Sequence, residues 1–201
     1  LSNDNIASTK KYTSGKSVLT LFYENSTRTR TSFELAAKKL GADVINISLG
    51  NSSVKKGESL LNTVKTLEAM QFDLIIVRHS DAGAPYFISR NIDIPVINAG
   101  DGLHAHPTQT LLDIYTIQKK LGTLKNKKIS IIGDILHSRV ARSNILGFSK
   151  LGANVYINSP KTLSFFKNKF FEQKNSRVNF VDDLDHAIEN ADVIMPLRIQ
   201  L

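Results

Sequence analysis

"SVLTLFYENSTRTRTSFELAAKKLG", Ser17 to Gly41, decides the fold. Ser17 to Tyr23 is a nearly continuous apolar run, the pattern of a strand buried on both faces. From Thr27 to Leu40 the period becomes helical, with Phe33, Leu35, Ala36 and Leu40 apolar and Gly41 as the stop. A buried strand running straight into a helix is the unit of a parallel α/β sheet. Between the two, Ser26 to Thr31 carry four hydroxyls and two arginines in six residues.

The same alternation continues to the end of the chain. Strands are expected at Asp43–Ser48, Asp73–Arg78 and in "IPVINAG", with helices over Glu58–Met70 and Ala84–Arg90. A long helix starts at Pro107 and stops at Leu121, before Gly122. A second series then places strands in "KKISIIGD", "NVYIN", "RVNFV" and "DVIMPL", with helices over Ser138–Leu151, Leu163–Gln173 and Leu184–Asn190. Two series of strand and helix predict two Rossmann-like three-layer α/β/α domains with parallel sheets, the second one incomplete. The expected boundaries are 1–122, ending in an interdomain helix over 107–121, and 123–201. Because no element closes the second series after Arg198 and Gln200, the chain is expected to be truncated there.

Composition narrows the chemistry. The 201 residues include no cysteine, which excludes disulfides, thiolate metal sites and cysteine nucleophiles. No apolar run reaches the roughly 18 residues of a membrane span. "LSNDNIASTKK" lacks a signal-peptide core, so a cytoplasmic protein is the simplest reading. The net charge is +8. Its lysines are scattered and do not alternate with aromatics, which argues against nucleic acid and in favour of a small anionic ligand.

In open parallel sheets ligands bind beyond the carboxyl ends of the strands. Ser26, Arg78, His106, Arg139 and Arg198 all follow a strand or its loop. At Ser26 or Thr27 a helix can be N-capped, and its first turn offers free N–H groups and a positive dipole end. Arg28 and Arg30 sit where that dipole disfavours cations, and a bound phosphate removes the conflict. Not all of these donors can face one ligand, and Glu24 is a natural partner for Arg30. Other phosphate loops fail. "TSGKS" has Lys10 where a Walker loop needs glycine, and the "GDI" after "ISII" lacks a second glycine, so neither ATP nor NAD is expected.

"FYENSTRTRTSFELAAKKLGADVINI", "VKKGES", "VRH", "HAHPTQTLLDIYTI", "GDILHSRVARS" and "LRIQ" run in order from about Gly15 to Gln200. Together they closely resemble the aspartate and ornithine carbamoyltransferase family, and the aspartate branch more than the ornithine one. The resemblance implies transfer of a carbamoyl group from carbamoyl phosphate to L-aspartate, an early step of pyrimidine (UMP) synthesis, with no cofactor and no metal. It assigns Ser26, Thr27, Arg28, Thr29, Arg78, His106 and Gln109 to carbamoyl phosphate. Lys56, Arg139, Arg198 and Gln200 fall to L-aspartate, with Arg28, Lys56, Arg78 and His106 as the catalytic set. Ser52 and Lys56, in the "NSSVKKGES" loop with Lys55, match residues that reach a neighbouring subunit's site. The resemblance therefore implies a homotrimer with shared sites and leaves regulatory chains or a larger assembly open. Arginine pairs bidentately with carboxylates, and Arg139 would repel the cationic side chain of ornithine. Closure of two domains, each holding one substrate, is the expected motion.

Overall fold

The computed structural model describes residues 13–48, 59–164 and 177–199. In chain order these form β1 (Ser17–Phe22), α1 (Thr27–Leu40), β2 (Asp43–Ser48), α2 (Leu60–Ala69), β3 (Leu74–His79), α3 (Ala84–Asn91), β4 (Val96–Asp101) and α4 (Pro107–Leu121). They continue with β5 (Lys128–Ile132), α5 (Arg139–Lys150), β6 (Asn154–Asn158), a 3-10 turn at Lys161–Leu163, β7 (Val178–Phe180), α6 (Leu184–Ile188) and β8 (Val193–Pro196). The helix expected at Leu163–Gln173 falls mostly outside the described residues. No helix among the described residues is long and apolar enough to cross a membrane.

The described residues form two four-stranded sheets, ordered β2-β1-β3-β4 and β7-β6-β5-β8, and every pairing in them is parallel. The chain divides into two compact units, Leu1–Gly102 and Leu103–Leu201. That division groups α4 with the second unit, because α4 packs on α5. The boundary expected at 122/123 attaches the same helix to the first domain.

In the first unit β1 is central, and Val18 to Phe22 are all buried. Alternation sends them to opposite faces. Leu19 and Leu21 join Ile75, Val77, Val64, Leu67 and Ile88 under α2 and α3. Val18 and Phe22 join Ile76 and Ala99, with Phe33 and Ala37 of α1 packed against them. That gives the expected three layers. One detail differs from the sequence reading. Leu35 is 52% exposed, because it lies two residues, about half a turn, from the inward stripe of Phe33, Ala37 and Leu40.

The second unit packs Ile129, Ile131, Val155 and Ile157 against Ile145 and Phe148 of α5 and Ile117 of α4. On the opposite face the Ser130 hydroxyl donates to the Ala187 carbonyl of α6 at 2.5 Å. Gly147 lets α4 and α5 come close, since a Cβ there would stand 2.4 Å from Thr110 Cγ2.

Candidate active site

Several helices in the structure have their first N–H groups satisfied locally. Ser59 and Ser138 accept from Asn62 and Ala141, and Asp183 from Asp185 and His186. The buried Asp101 carboxylate accepts from the Gly83 N–H at the start of α3, at 2.6 Å. Two helices depart from this rule. Ser26 stands at the N-cap of α1 and His106 at the N-cap of α4, with similar φ/ψ of −154°/84° and −141°/69°, and neither side chain caps its helix. Neither first turn contains an acidic residue. The first turn of α1 thus leaves N–H groups and a positive dipole end to an anion. In α4, by contrast, Pro107 has no N–H and the Gln109 N–H donates to the His106 carbonyl at 3.1 Å, so there the dipole is the main element facing a developing negative charge.

Around the first of these, the chain supplies cations. Thr27, Arg28 and Thr29 form the opening turn of α1, with Arg28 exposed. Arg78, near the end of β3, is buried at 9% exposure. Its guanidinium donates to Thr29 Oγ1 and to the Ala99 carbonyl, each at 3.3 Å. Its Nε lies 2.5 Å from a Glu24 carboxylate oxygen. Glu24, suggested by the sequence as the partner of Arg30, is therefore engaged by Arg78. The pair orients the guanidinium, and one buried cation is matched by one carboxylate.

Beside Arg78, His79 stacks tilted on Tyr23 with ring centroids 4.4 Å apart. Burial pushes its pKa down, against the opposing pull of Asp81, Glu24 and Asp101. Its Nδ1 accepts the Asp81 N–H at 2.9 Å, so the ring's own proton sits on Nε2. The looser 3.9 Å approach of the Asp81 carboxylate does not alter that assignment.

In the second unit, His106 is buried and its backbone N–H donates to Ser143 Oγ at 2.8 Å. The Thr108 hydroxyl approaches its Nδ1 at 3.5 Å. Gln109, in the same turn, donates from Nε2 to Asp113 at 2.9 Å. Arg139 opens α5. The loop before it is set by Asp134, fully buried, which accepts the His137 N–H at 3.0 Å and the His137 ring at 3.0–3.1 Å. Arg198 lies just beyond β8 and is exposed. Strands β5 and β8 are neighbours, with Ile132 opposite Pro196, so Arg139 and Arg198 leave adjacent strand ends. Gly133 permits this closeness: at φ +117° a Cβ would meet the Leu197 carbonyl at 2.9 Å.

Ser52, Lys55, Lys56 and Gln200 lie outside the described residues. Sequence reasoning did not single out Asp113, Ser143, Asn144 or the Asp134–His137 pair. Only the last carries a local signal, a D-x-x-H spacing ahead of a helix.

Two family models match the chain. "Aspartate/ornithine carbamoyltransferase, carbamoyl-P binding domain" covers residues 2–119, and "Aspartate/ornithine carbamoyltransferase, Asp/Orn binding domain" covers 125–201. The aspartate carbamoyltransferase catalytic subunit of Syntrophomonas wolfei is 54% identical over 92% of the chain and 58% of its own length. That of Ruminiclostridium cellulolyticum is 55% identical over 93% and 58%. Among solved structures, the catalytic subunit of M. jannaschii aspartate transcarbamoylase superposes with TM-score 0.83 at 40% identity, covering 98% of this chain and 66% of that one. The Trypanosoma cruzi enzyme, solved with carbamoyl phosphate and aspartate, gives TM-score 0.84 at 27% identity, covering 98% and 70%. The chain thus spans 58% of the length of these curated relatives.

Proposed function

Because the chain belongs to the aspartate/ornithine carbamoyltransferase family, we propose that the protein transfers the carbamoyl group of carbamoyl phosphate to L-aspartate. The products are N-carbamoyl-L-aspartate and phosphate, in the early steps of pyrimidine synthesis. The observation that carries this reading is the first turn of α1. Its N–H groups have no side-chain cap, Arg28 stands in the turn, and the buried Arg78 guanidinium reaches Thr29 within it.

In this mechanism the neutral amine of aspartate attacks the carbamoyl carbon. The bond from that carbon to the bridging phosphate oxygen breaks, and the amine's surplus proton leaves on phosphate. Ser26, Thr27, Arg28 and Thr29 hold the phosphate. Arg78 and His106 donate to oxygens that gain negative charge in the transition state, where one donor is typically worth about 3 kcal/mol. Gln109 meets the carbamoyl amino group. Arg139, Arg198 and Gln200 bind the aspartate carboxylates in the fork geometry that suits arginine. Two anionic substrates repel each other, so the cationic residues also offset that repulsion. We assign the domain up to residue 122 to carbamoyl phosphate and the domain from 123 to aspartate, with Lys56 from a neighbouring copy also meeting aspartate.

We further assign Ser52 and Lys56 to a neighbouring copy's site in a cytoplasmic homotrimer. The exposed apolar side chains of Leu35 on α1 and Ile45 on β2 are consistent with subunit contacts.

The test offers carbamoyl phosphate to the full chain with aspartate and ornithine in parallel. Carbamoyl-aspartate alone is expected. Product from ornithine overturns the roles of Arg139 and Arg198. No product from either amine, in folded trimer, overturns the activity.

A further inference from the structure

The Gln109 amide is held from behind by a carboxylate that the mechanism above leaves unused. Asp113 follows Gln109 by one helical turn on α4. One of its oxygens accepts from Gln109 Nε2 at 2.9 Å, and the other from Asn144 Nδ2 of α5 at 2.8 Å. Asn144 is fully buried, and its Nδ2 also approaches Met195 Sδ of β8 at 3.2 Å. A neighbouring residue of the same helix, Ser143, accepts the His106 N–H. Bonds from α5 therefore fix both the start of α4 and the carboxylate one turn further in.

An ionised carboxylate accepts hydrogen bonds and has none to give. Both amides must therefore turn their NH2 groups toward Asp113. For Gln109 this leaves the carbonyl, Oε1, as the end offered to a ligand. A carbamoyl group differs from an acetyl group of similar size in carrying NH2 where acetyl carries CH3. Its N–H groups need an acceptor, and a methyl gains nothing from one.

We propose that Asp113 is a positioning residue that sets the site's preference for a carbamoyl over an acyl phosphate, by locking the Gln109 amide with Oε1 toward the carbamoyl NH2. The inference rests on the reading of Gln109 as a ligand of the carbamoyl amino group. Without the carboxylate, the amide turns over and presents NH2 to NH2, two donors facing each other.

The test measures, in the full chain, the KM for carbamoyl phosphate and the Ki of acetyl phosphate as its competitor, for wild type, D113N, Q109A and the double variant. In D113N the substituted amide can donate to Gln109 and draw Oε1 away. The expected result is an increase of about tenfold in KM for D113N, the size of one lost hydrogen bond, with the acetyl phosphate Ki moving less than about twofold. Q109A narrows the same KM-to-Ki discrimination, and adding D113N to Q109A changes it no further. Equal changes in KM and Ki, or an undiminished effect of D113N in the Q109A background, assign Asp113 a purely structural role and overturn the proposal. If Q109A alone leaves the discrimination unchanged, the reading of Gln109 is at fault and the proposal falls with it. Melting curves of all four proteins show whether each is folded when assayed.

Discussion

At the scale of single residues, Arg28 and Arg78 do different work despite their shared charge. Arg28 is exposed in an uncapped helix turn, while Arg78 is buried and held by Glu24, Thr29 and Ala99. On the proposed reading, truncating Arg28 removes a phosphate contact, and because the side chain is exposed it leaves no buried charge unmatched. Arg28→Ala should therefore lower kcat/KM by about 10²–10³, with an unchanged melting temperature in calorimetry. Unchanged kinetics would remove Arg28 from the site. His79 gives a pH signature. Burial holds its folded pKa below the ordinary 6.5, so the fold prefers the neutral ring. The resulting stability is present above pH 6.5 and is lost as pH falls from there toward the lower folded value. The melting-temperature gap between wild type and His79→Gln should accordingly narrow from pH 7 to pH 5. A gap independent of pH would contradict this. The hydroxyl-rich turn and the strand-end arginine are legible in sequence because each is local. The partner of Glu24 is not, since Arg78 reaches it only once β1 and β3 pair.

At the scale of elements, the two sheets are started by the same device. Asp73, just before β3, accepts the Ser17 N–H at 2.7 Å and pairs with Lys16 at 2.7 Å. Asp192, just before β8, accepts the Lys128 N–H at 2.9 Å and pairs with Lys127 at 2.8 Å. In each case the lysine hydrogen bond is the main reason the carboxyl pKa lies below its usual value. The sequence has no visible repeat, because the device needs only a lysine, a free strand-end N–H and an aspartate on the neighbouring strand. The α4–α5 contact is the other element-level feature. Gly147→Ala would put a methyl 2.4 Å from Thr110 Cγ2 and should cost about 1–3 kcal/mol as the helices part. Thr110→Ser, which removes that methyl, should recover most of the loss in a chemical denaturation series. Additive losses in the double variant would place the strain elsewhere.

At the scale of the whole molecule, the proposed sharing of Lys56 between subunits has a consequence that no single chain can show. Lys56→Ala and Arg78→Ala should each be inactive alone. If every site takes Arg78 from one chain and Lys56 from its neighbour, dissociating and mixing them in equal amounts should restore about a quarter of wild-type activity, the statistical share of sites with both residues intact. No recovery, with hybrid trimers demonstrated by mass, would put both residues in one chain's site.

By itself the sequence determined the order and type of most elements among the described residues, the parallel α/β class and the hydroxyl- and arginine-rich turn that opens α1. Hydrophobic period, helix stops and the N-terminal dipole all act over a few neighbouring residues. Tertiary structure decided what those donors lean on. Thr29 and Arg78 are 49 residues apart, and Asp113 and Asn144 are 31 apart. Their meeting depends on strand order and helix approach, which side-chain period does not encode. Leu35 is a different case: its outward position follows from helical phase, about half a turn from Phe33 and Ala37, and the structure showed which stripe of α1 faces the sheet.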